Sequence, residues 1–126
     1  MTWHTMKLVT NNKWLIEFEP HCKNAELEQF FVDYMNLLHL STNTISIVFD
    51  MRKVTMPTMT QLTKQVLFIQ KMKSLHKEKI SHFYLIITTK IVQELVDLVF
   101  KLTPPVVPYT VINNSSESVI DDQLCL

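Results

Sequence analysis

Residues 13–19, Lys-Trp-Leu-Ile-Glu-Phe-Glu, alternate apolar and polar, and residues 2–9 alternate more loosely before Asn11-Asn12. Two strand-like runs around an Asn-Asn pair predict an antiparallel hairpin, with asparagine supplying the positive φ of the turn. Pro20 closes the second run. Asn24 is placed as a helix N-cap, with Glu26 and Glu28 in the first turn where the helix dipole favours negative charge. Leu27, Phe30, Phe31, Tyr34, Met35 and Leu38 then recur at steps of three and four, predicting an amphipathic helix to about Leu40. Ser41-Thr42-Asn43 breaks it.

Residues 45–49, Ile-Ser-Ile-Val-Phe, are apolar with little alternation and β-branched at several positions, which predicts a central strand covered on both faces. From Pro57 the period turns helical, with Met59, Leu62, Val66, Ile69 and Met72 as one stripe and the helix running to about Lys79. Residues 82–87 predict a second strand buried on both faces. Thr88-Thr89 caps a further helix carrying Ile91, Leu95, Leu98, Val99 and Leu102, which Pro104-Pro105 ends. Residues 106–112 form a last strand, and Pro108 assigns it to a sheet edge. A polar tail over residues 114–126 includes a candidate short helix at 119–124.

The order β-β-α-β-α-β-α-β, with 126 residues and no linker or repeat, predicts one α/β domain spanning residues 1–126. Its sheet is mixed and mostly parallel, of about five strands, with an N-terminal hairpin and three to four helices.

Composition narrows the functional classes. Twelve basic and twelve acidic residues leave a formal net charge of zero, so no field of one sign draws in nucleic acid or an anionic membrane. The cluster Lys71, Lys73, Lys77 and Lys79 around His76 reads as the solvated end of a helix. The chain holds no glycine, which excludes phosphate-cradling and dinucleotide loops and the Gly-x-Ser-x-Gly nucleophile elbow. No stretch approaches a membrane span or a secretory signal, and two cysteines, Cys22 and Cys125, suit a reduced compartment. A cytoplasmic protein is expected.

Candidate chemistry is sparse. His21-Cys22 invites a metal, but His4, His39, His76 and His82 lack ligand spacing and read as surface residues, so no metal or cofactor is expected. Cys22 between His21 and Lys23 is set where a thiol pKa could fall, yet no oxyanion nest is recognisable. Asp50, at a strand end, is the best-placed carboxylate, with Thr55 or Cys22 as its conceivable catalytic companions. No catalytic residues are assigned. The segment after Asp50 is the sharpest feature: Thr55, Thr58 and Thr60 cluster where a strand passes into a helix, and each hydroxyl is either a cap or a site.

The order of elements, with Ile47-Val48-Phe49-Asp50-Met51-Arg52-Lys53-Val54-Thr55-Met56 leading into a helix, resembles the STAS domain. That family includes bacterial anti-sigma-factor antagonists and the cytoplasmic domains of sulfate transporters. Its members show an apolar strand, an Asp or Asn, a short variable stretch, then Asp-Ser-Ser/Thr-Gly-Leu opening a helix. Laid on without gaps, Asp50 matches the strand-end acid and Leu62 the helix leucine, and Thr60 falls on the residue that a partner kinase phosphorylates in antagonists. Thr58, Met59 and Gln61 stand where the family has aspartate, serine and glycine. The resemblance implies a non-enzymatic regulatory module with a protein partner such as a kinase-like anti-sigma factor. Thr60 is then the candidate phosphoacceptor, and Asp50, Thr55, Thr58 and Gln61 form the candidate partner-binding loop. Sheet-edge pairing would allow a homodimer. From the residues alone a second class stays open: a small-ligand or lipid-binding domain whose seven methionines and seven phenylalanines line an apolar cavity.

Overall fold

The computed structural model describes residues 2–10 and 12–113. The 119–124 helix and Cys125 lie outside them. Strands β1 (His4–Thr10) and β2 (Lys13–Phe18) form the expected antiparallel hairpin, with a bulge between Leu8 and Thr10. They are followed by α1 (Asn24–Leu40), β3 (Ile45–Asp50), α2 (Met59–Lys71), α3 (Lys73–Lys79), β4 (Ile80–Ile86), α4 (Lys90–Leu102) and β5 (Tyr109–Ile112). The five-stranded sheet has the order β1-β2-β3-β4-β5, and β2 to β5 run parallel.

That sequential order dictates where the helices go. Every crossover from β2 onward steps to the next strand in the same direction, and right-handed crossovers stepping one way lay their helices on one face. Accordingly Leu27, Phe30, Phe31 and Tyr34 of α1, with Phe68 of α2 and Leu75 of α3, pack on Ile16, Phe18, Ile47 and Phe83. Val92 and Val96 of α4 pack on Leu85 and Ile87, beside the same Phe49. The expectation of strands covered by helices on both faces is therefore corrected. Opposite, Val48, Ile86 and Ile112 form a separate cluster with Leu15 and Tyr84, and no helix among the described residues lies there.

Four helix expectations also change. The helix drawn from 57 to 79 is two: at Met72 (ψ −1°) the chain makes a tightened turn, and its N–H is shared among the carbonyls of Phe68, Ile69 and Gln70. Met72 is buried at this break, and α3 brings His76 into the core instead of into solvent. The stripe drawn on α2 is largely out of the core, since Met59 is exposed and Leu62, Val66 and Ile69 are half-buried. On α4 the buried positions are Val92, Leu95, Val96 and Val99, whereas Ile91, Leu98 and Leu102 face outward. A helix with apolar residues all round does not announce which stripe meets the sheet. The N-cap of α1 is Lys23, one residue before Asn24. The last strand is shorter than drawn, and Pro108 stands just before it. The sheet's edges are β1 and β5.

Candidate functional site

The β3–α2 connection lies at the carboxyl end of β3 and is fastened along its length. Asp50 accepts from Arg52 three times, from the backbone N–H (3.1 Å), Nε (2.9 Å) and the terminal guanidinium nitrogen (2.6 Å). Burial pushes the Asp50 carboxyl pKa up, but the hydrogen bonds and charge of Arg52, with Lys53 nearby, outweigh it and hold it below the usual value. Further on, Thr55 Oγ1 donates to the Pro20 carbonyl (2.5 Å), tying this loop to the one before α1.

Thr58 is the N-cap of α2. Its Oγ1 accepts from the Gln61 N–H (3.1 Å), and Gln61 Oε1 accepts from the Thr58 N–H (3.1 Å), a reciprocal capping box. Gln61 is buried to 6% exposure, and its Nε2 reaches across to the Cys22 carbonyl (2.7 Å) and Asn24 Oδ1 (3.2 Å). The position where the STAS motif carries glycine thus joins the N-termini of two helices. Thr60, at the second helical position, is exposed and its hydroxyl makes no hydrogen bond among the described residues. Close to it in the chain are Met56 and Met59, 64% and 76% exposed. Three hydroxyls that sequence could not tell apart therefore have three settings: Thr55 fastens, Thr58 caps, Thr60 is unengaged.

Cys22 is not an activated thiol. Burial, with the charge of Glu26, pushes its pKa up to about 11, against the fall expected from its neighbours in sequence. Among the described residues no three His, Cys, Asp or Glu side chains come together as a metal site. His4 and His76, expected at the surface, are buried. His4 Nε2 pairs with Asp33 Oδ2 (2.8 Å), joining β1 to α1. His76 Nε2 and the Tyr34 hydroxyl share a buried hydrogen bond (2.8 Å), and burial lowers the His76 pKa to about 4, so the ring is neutral at pH 7.

Behind the loop the helices stand off the sheet. A cavity of about 340 Å³ opens between them, floored by Phe49, Phe83 and Leu85 and walled by Phe31, Phe68 and Val96. All seven phenylalanines of the chain line it, with two of the methionines, Met51 and Met56. Sequence gave no sign of the Tyr34–His76 pair or of Thr103, a cavity-lining residue. Both depend on long-range placement that no local pattern encodes. Among the described residues no helix is long and apolar enough to cross a membrane.

No protein-family model matches this sequence, and no curated protein matches it significantly. Solved structures do match in three dimensions. One is the anti-sigma factor antagonist SpoIIAA in its unphosphorylated form: TM-score 0.64 and 14% identity over 98% of this chain and 97% of that one. Another is a protein of the DUF3478 family from Shewanella loihica PV-4, described as having a SpoIIAA-like fold: TM-score 0.61 and 11% identity over 97% of this chain and 92% of that one. With the hairpin, the parallel β2–β5 sheet and the one-sided helices, these likenesses settle the architecture: this chain has the SpoIIAA-like α/β fold of STAS domains.

Proposed function

We propose that this protein is a non-enzymatic cytoplasmic regulatory module that binds a protein partner through the β3–α2 loop and the outward face of α2, and that phosphorylation of Thr60 controls that binding. The observation that carries the reading is the division of labour at the helix start. Thr58 and Gln61 complete the cap, leaving the Thr60 hydroxyl exposed and unengaged. Asp50 and Thr55 serve this surface by holding the loop in place.

A phosphate at Thr60 would sit in the first turn of α2, where the helix dipole and unpaired N–H groups favour negative charge. It would bring a charge of about −1.5 to −2 beside the exposed Met56 and Met59, on a molecule whose formal net charge is zero. An apolar partner surface seated on those methionines would have to desolvate the phosphate and would bind more weakly, while the fold of α2 would be retained. The SpoIIAA-like fold supports a partner of the kind the STAS resemblance implies, a kinase-like anti-sigma factor. The raised Cys22 pKa and the Arg52-bound Asp50 support a role without catalysis.

The test is phosphosite mapping of the intact protein recovered from its own cells. The reading expects a single phosphate at Thr60, absent from a Thr60→Val variant. Phosphate on Thr55 or Thr58 instead, or none under any growth condition, would contradict it.

A further inference from the structure

We infer that the phenylalanine-lined cavity between α2 and α4 is a binding site for a small, flat, mainly apolar molecule that carries one hydrogen-bonding group. Protein interiors are packed as densely as organic crystals, and voids much larger than a water molecule are few. This cavity measures about 340 Å³, within the range of ligand pockets. It is roughly twice the ~150 Å³ apolar cavity that admits benzene, so an occupant of roughly ten to fifteen non-hydrogen atoms fits and a long-chain lipid does not.

The lining specifies the body of that occupant. Here every phenylalanine of the chain borders one space, and Phe31 and Phe68 stack at 4.1 Å on its wall. Rings that line a void offer faces and edges to a further aromatic ring.

Thr103 supplies the polar contact. It lines the cavity, it is 1% exposed, and its Oγ1 has no hydrogen-bond partner among the described residues. A buried hydroxyl left unpaired is costly, and a ligand hydroxyl or N–H would satisfy it. The exposed rim at His21, Thr55 and Pro104 provides entry. This inference does not depend on the role of Thr60.

Naphthol and naphthalene form the test pair, alike in body and differing by one hydroxyl, titrated into the full-length protein with its valine and leucine methyl groups followed by NMR. The wild type should bind both at one saturable site that shifts Val96 and Val99, with naphthol about three- to tenfold tighter. Thr103→Val, which keeps the shape and removes the hydroxyl, should equalise the two. Val99→Phe, which fills the space, should abolish both. If Val99→Phe fails to fold, the comparison of wild type with Thr103→Val decides. The inference is overturned if neither probe shifts those methyls up to its solubility limit. It is equally overturned if wild type binds both probes alike, if the naphthol preference survives Thr103→Val, or if folded Val99→Phe still binds.

Discussion

Replacing Thr58 and Thr60 separately by alanine should have opposite effects on stability, although the residues are two apart in one helical turn. Thr58 Oγ1 accepts the Gln61 N–H at 3.1 Å, so alanine there leaves that donor without its cap. Loss of such a cap costs about 1 kcal/mol, or about 4 °C in Tm for a chain of this length. Thr60 gives up no hydrogen bond, and alanine is the better helix former, so Thr60→Ala should be neutral or stabilising by about 0.5 kcal/mol. Gln61→Leu should cost more than either, about 2 kcal/mol. It removes three hydrogen bonds, but water can replace part of them because Thr58 and Asn24 are exposed. Urea unfolding followed by far-UV circular dichroism measures all three against wild type. Equal losses for Thr58→Ala and Thr60→Ala would refute the assignment of cap and free hydroxyl, and with it the argument that Thr60 is available for modification.

Three other outcomes follow from the buried groups. His76 is neutral when folded, with a pKa lowered to about 4, whereas the unfolded chain takes up its proton near 6.5. Its contribution is therefore present above about pH 6.5 and lost as pH falls toward 4. Up to ~3 kcal/mol of unfolding free energy should disappear over that window, and His76→Asn should flatten the slope in urea titrations. Asp50→Asn should cost about 1–2 kcal/mol at pH 7 by breaking the Arg52 pair. Because burial opposes and Arg52 more than offsets it, the Asp50 contribution is present at neutral pH and vanishes only below about pH 4, a window separate from that of His76. Phe68→Ala should cost about 2 kcal/mol, less than a fully buried phenylalanine, since Phe68 is half-buried against Phe31 and borders a space already empty.

The parts of the fold legible in sequence were those carried by local signals. The alternation at residues 13–19, the prolines at 104 and 105 and the threonine before α4 place the elements, because turn chemistry and periodicity act over a few residues. Which side of each element faces inward was less legible. The runs around Val48 and Ile86 are apolar enough for two helical layers, yet the sequential strand order puts every described helix on the other face. In α4, Ile91, Leu98 and Leu102 are as apolar as the residues that are buried, so composition could not choose between stripes. Of the site, the location after Asp50 was legible and the roles were not: only the distance between Thr58 and the Gln61 N–H tells a cap from a free hydroxyl. The cavity was beyond sequence reading altogether, since it is made by seven phenylalanines contributed by six separate elements and by the height at which α2 rides over the sheet.

The central claim is that Thr60 is a switch on a surface whose fold does not depend on it. The direct measurement is the dissociation constant of the protein partner for wild type, Thr60→Asp and Thr60→Val, with the amide spectrum of α2 recorded for each. The account predicts at least about tenfold weaker binding for Thr60→Asp, unchanged binding for Thr60→Val, and α2 intact in both. Equal affinities for wild type and Thr60→Asp would contradict it.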